Sequence, residues 1–161
     1  MGDWISRLKQ QEEAARCGRD QKRALQMREH DLIAEKGQYS WEKVVAQVER
    51  DIATLRMAFP EDPAKEIQFA RCERGFTLER HSYPQVLLKA RWVSEINGVG
   101  VETTVRTSAI SERVTSPTKE EIRFSLTTEN DIRMTFETTS SVIPESLSEP
   151  FIMKVLRHNL E

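Results

Sequence analysis

The sequence predicts an α+β fold: two N-terminal helices, a twisted antiparallel sheet of about five or six strands, and a closing C-terminal helix. Three observations carry this. Asn97-Gly98 sits between two alternating segments, Val86 to Ile96 and Val99 to Ala109, as a tight hairpin turn does. Residues 122–126 and 132–136 each alternate apolar with polar side chains, the mark of half-buried strands. Trp41, Val45, Val48, Ile52, Leu55 and Phe59 step by four and three alternately, with Val44 widening the stripe, the mark of a helix with one buried face.

Asp3 to Glu35 reads as a helix of polar, straight-chain residues. Its apolar residues fall in two patches, Trp4, Ile5 and Leu8 near the start and Leu25, Leu32 and Ile33 near the end. Gly18 weakens the middle, and Gly37 is expected to end the helix. Ser40 is the expected cap of the second helix, with Tyr39 and Val44 spaced as a hydrophobic staple and Glu42 in the first turn. Pro60 stops that helix, and Glu61-Asp62-Pro63 is a turn. The division that follows is an extended N-terminal helix over 1–37 and a helix-on-sheet domain over 38–161 within one domain.

Ile67 to Cys72 and Phe76 to Arg80 read as strands joined by a turn at Arg74-Gly75. In the long hairpin, pairing Ile96 with Val99 sets Trp92 opposite Thr103, Ala90 opposite Val105 and Leu88 opposite Thr107, all on one face. The two later strands share an apolar face only if their loop is odd in length. Thr128-Glu129-Asn130 satisfies this, with Asn130 left-handed. Residues 149–159 form the last helix, with Phe151, Ile152, Val155 and Leu156 on its apolar side. The Trp41–Phe59 helix is expected to cover the sheet's apolar face.

The 161 residues suit one domain, and 38% hydrophobic content in regular patterns marks a folded chain. A net charge of −2, from 24 basic and 26 acidic side chains, argues against a dedicated nucleic-acid binder or an anionic-membrane binder. No apolar run approaches the ~20 residues of a membrane span, and no leader pattern precedes the charged stretch after Ile5. A cytoplasmic protein with Cys17 and Cys72 reduced is expected.

The residues that carry chemistry elsewhere lack their contexts here. His30, His81 and His158 have no second ligand at metal spacing. Ser6-Arg7-Leu8-Lys9 matches a Ser-x-x-Lys pattern by letters alone, on a polar helix. Cys72 lies between Arg71 and Arg74, which would favour a thiolate, but also suits a plain strand position. Asn97-Gly98-Val99-Gly100 continues as strand, where a phosphate loop would open a helix. The predicted register sets Lys89 opposite Arg106, a like-charge pair that either splays into water or holds an anion. Residues 9–28 hold six basic against three acidic side chains but no interleaved aromatics. No catalytic residue, cofactor or metal site is expected.

The expected role is a non-enzymatic interaction module, a homodimer assembled through Trp4, Ile5, Leu8, Leu25, Leu32 and Ile33. The alternative is a small apolar-ligand binding protein or enzyme whose pocket, between helix and sheet, is lined by Trp41, Trp92, Phe124, Met134 and Phe136.

Overall fold

The computed structural model describes residues 2–82, 84–106 and 117–157. The chain divides into two compact units, 1–32 and 33–161. Helix α1 runs unbroken from Asp3 to Ala58, where the sequence reading placed two helices. Gly37 does not end a helix; it is buried inside one. A Cβ built on it would lie 2.8 Å from Trp92 Cη2 and 3.4 Å from Phe124 Cδ1. The glycine is there because the rings of Trp92 and Phe124 press against the backbone. Ser40 is accordingly a mid-helix residue. Tyr39 is no staple: its ring is exposed and lies under the Lys43 ammonium.

Beyond Pro63–Lys65, a single 3-10 turn capped by the Asp62 carboxylate, seven antiparallel strands follow among the described residues. They are β1 (Ile67–Cys72), β2 (Gly75–Arg80), β3 (Gln85–Val93), β4 (Gly98–Arg106), β5 (Thr118–Leu126), β6 (Ile132–Phe136) and β7 (Thr139–Ser141). Their order in the sheet is their order in sequence. The strand beyond the expected five or six is β7, three small polar residues with no apolar alternation to reveal them.

The long hairpin keeps its predicted faces but not its predicted register. Trp92 pairs with Val99, Ala90 with Val101, Leu88 with Thr103 and Lys89 with Glu102. Ser94–Ile96 wind into a 3-10 turn and Asn97 alone is left-handed, at φ 46°, so the loop holds four residues instead of two. The shift of four residues is even, and an even shift leaves every side chain on its own face. It also replaces the Lys89–Arg106 like-charge pair with an opposite-charge one. Gly98 serves close approach and not turn geometry, since a Cβ there would meet the Ile122 carbonyl at 2.7 Å. The β1–β2 turn is Glu73-Arg74, one residue earlier than expected, with Arg74 at φ 64°. In the β5–β6 hairpin, Leu126 pairs with Ile132 and Asn130 takes φ 61° in the expected turn. The predicted strand extension over 107–109 and the last two residues of the predicted C-terminal helix, His158 among them, lie outside the described residues.

One sheet face is apolar, and two helices cover it. Trp41, Val44, Val45, Val48 and Ile52 of α1 are buried, as are Phe151, Ile152 and Val155 of α2 (Ser148–Leu156). Phe151 joins the layers, with ring centroids 6.0 Å from Trp41, 5.3 Å from Phe76 and 4.7 Å from Phe136. Burying such a side chain contributes roughly 1.5–3 kcal/mol. The Trp41 indole N–H donates to the Arg74 carbonyl at 2.8 Å, which also accepts the Trp92 backbone N–H at 2.9 Å.

Candidate interaction surface

Every described residue from Gly2 to Asp31 is exposed. Trp4 is 62% exposed, Ile5 53%, Leu8 46% and Leu25 67%. Polar straight-chain residues favour the helix here, and Arg7 pairs with Asp3 at 3.8 Å one turn away. Further along, Arg16, Arg19, Lys22 and Arg23 are like charges at three- and four-residue spacing around Asp20, which weakens a helix. Of the six residues expected at a dimer interface, these first four are solvent-facing. Leu32 is half-buried, and Ile33 packs against the core of its own unit.

The five residues expected to line a pocket lie in or against that same core. Trp41, Trp92, Met134 and Phe136 are buried, and Phe124 is half-buried with its ring edge-on to Trp92 at 5.1 Å. Trp41 stacks on Phe76 and Phe136 on Phe151. Their side chains fill space against one another.

The isolated chemistry-bearing residues are placed as follows. His81 is exposed, 3.8 Å from Glu79. Cys17 and Cys72 are both free and exposed. The two arginines beside Cys72 are engaged elsewhere, Arg71 with Glu42 and Glu49 and Arg74 with Ser94. Among the described residues, no group of three or more His, Cys, Asp and Glu could hold a metal ion. No helix among them is long and apolar enough to cross a membrane.

Sequence reasoning missed three polar links that fix α2. Ser148 Oγ donates to Asp51 at 2.6 Å. Lys154 donates to Glu120 and, at 2.8 Å, to Glu137. Burial alone would lower the Lys154 pKa, but the two carboxylates outweigh it and hold the ammonium above the ordinary lysine value. Arg80 is fully buried and donates to the carbonyls of Ser82, Pro84, Val155 and Leu156. Two of those carbonyls end α2, where a cation complements the helix dipole. The signal was present: Arg80 falls on the inward parity of Phe76 and Leu78, as Glu120 does on that of Ile122 and Phe124.

The structure also holds clefts apart from the core. One of about 550 Å³ lies beside Lys154, between Glu137, Thr139, Ser146, Glu149 and Met153. Another of about 580 Å³ opens on the sheet face away from the helices, lined by Cys72, Arg91, Val93, Ile96, Gly100 and Glu121 among others. No family model, curated protein or solved structure matches this chain.

Proposed function

We propose that this chain is a non-enzymatic interaction module that self-associates as a homodimer through Trp4, Ile5, Leu8 and Leu25. The observation that carries the reading is a helical stretch in which every side chain from Gly2 to Asp31 meets solvent, large apolar ones included. Most of a protein helix's stability comes from packing an apolar face, which this stretch lacks within its own chain, and its like charges at three- and four-residue spacing weaken it further. A second copy supplies the missing apolar contacts, and a symmetric pair is the commonest way to do so. Leu32 and Ile33, already in part buried, contribute less. Two exposed free thiols suit a reducing compartment such as the cytoplasm.

Light scattering on a sizing column tests this. The native chain should run as a dimer, and a Trp4→Ala/Leu8→Asp double variant as a monomer whose buried Trp41 and Trp92 still give the blue-shifted fluorescence of a folded core. A native monomer at high micromolar concentration, or a double variant that stays dimeric, overturns the proposal.

A further inference from the structure

Gly100 is a glycine that the fold does not require. Gly37, Gly75 and Gly98 each have neighbours that a Cβ would strike, at 2.8, 1.9 and 2.7 Å. A Cβ on Gly100 would meet only Val93 Cγ2, at 3.4 Å, and no described glycine has positive φ. Yet Gly100 sits inside β4, where glycine costs about 0.5–1 kcal/mol relative to alanine. A glycine inside a strand marks a bulge, a tight bend or the close approach of a ligand or another backbone, and the one-to-one pairing of Gly100 with Arg91 and Glu121 shows no bulge there.

The register shows what surrounds it. Gly100 lies between Arg91 on β3 and Glu121 on β5. Its outward face is that of Glu102 and Arg91, away from the core residues Val99 and Val101. Two strand spacings, about 10 Å, separate the Arg91 and Glu121 backbones, with no side chain between them. Among the described residues, neither the Arg91 nor the Glu121 side chain makes a hydrogen bond or an ion pair. Val93 and the 46%-exposed Ile96 supply an apolar wall. The cleft, about 580 Å³, falls in the size range of small-molecule sites.

We propose that this cleft binds a zwitterion of amino-acid or dipeptide size, its carboxylate on Arg91, its ammonium on Glu121, its backbone over Gly100 and its apolar side chain on Val93 and Ile96. A guanidinium matches a carboxylate with two parallel hydrogen bonds. A plain anion would meet Glu102 and Glu121 in the same cleft, and a plain cation would meet Lys89, Arg91 and Lys119. Only a ligand carrying both charges satisfies both sides.

The test uses the full chain, the twenty free amino acids and a set of Gly-Leu-type dipeptides, read by titration calorimetry. A second readout is the alkylation rate of Cys72, a cleft-lining thiol, in a Cys17→Ser chain. At least one probe should bind and slow alkylation. Arg91→Gln and Glu121→Gln should each weaken binding about tenfold or more, the loss of a charge-assisted hydrogen bond. Gly100→Val should abolish binding while raising Tm, since valine suits a strand better than glycine. Amino acids binding without dipeptides, or the reverse, supports the site and sets its length. Binding by no probe, equal binding by acetate or ethylammonium alone, or native affinity in Gly100→Val overturns it.

Discussion

Replacing Gly37 by Ala should destabilise the helix-on-sheet unit, although alanine is the better helix former. The substitution gains about 1 kcal/mol of helix propensity. Against this, the new Cβ meets Trp92 Cη2 at 2.8 Å and Cζ3 at 3.3 Å. Trp92 is only 4% exposed and wedged edge-on against Phe124, so its ring has little room to retreat. Overpacking of this kind costs typically about 1–3 kcal/mol. The net expectation is a loss of roughly 0–2 kcal/mol, read as a lower urea midpoint at unchanged slope. Gly18→Ala is the control: nothing lies within 4 Å of its Cβ position, so it should raise helical content with no penalty. A Gly37→Ala chain more stable by the full propensity gain would refute the reasoning, because it would mean that Trp92 does not press on the backbone.

Two further outcomes follow from the polar links to α2. Arg80→Met should cost at least about 1–3 kcal/mol in chemical denaturation, the penalty for an unsatisfied buried acceptor, since it strands four carbonyls to which the buried guanidinium donates. Lys154→Met should cost about 1–3 kcal/mol at neutral pH by leaving Glu120 half-buried without its partner. Because the folded-state pKa of Lys154 is raised, its contribution is complete below the ordinary lysine value of about 10.4 and fades as pH climbs through the folded value. The stability gap between the native chain and Lys154→Met should therefore narrow in alkaline solution; a gap that widens there would contradict the pairing.

What was readable in the sequence is what period and parity encode. The alternations at 122–126 and 132–136 placed two strands and, through the odd-loop requirement, a left-handed Asn130. The stripe from Trp41 to Leu55 identified the covering helix. Features that need knowledge of the partner surface were not readable. Gly37 has the local signature of a helix end, and only Trp92, distant in sequence, explains why it sits inside one. Asn97-Gly98 has the signature of a two-residue turn, but Gly98 is committed to the Ile122 carbonyl, and the chain turns through Ser94–Asn97 instead. Parity survives such slips and exact pairing does not. The same holds for the candidate sites: exposed apolar residues could be named from sequence, whereas the distinction between Gly100 and the other strand glycines rests on how closely the folded neighbours approach each one.

The sequential strand order has a consequence for how the chain is made. Each strand pairs with the one synthesised immediately before it, so its pairing partner is already made when it emerges. The aromatic cluster cannot finish on that schedule. Trp41, Phe76 and Phe136 await Phe151, and the last carbonyls of α2 are also what the Arg80 guanidinium awaits. During synthesis the sheet can therefore be assembled while its interior is still open, which leaves a window for a chaperone. Docking of α2 is then the step that commits the nascent chain to its folded state.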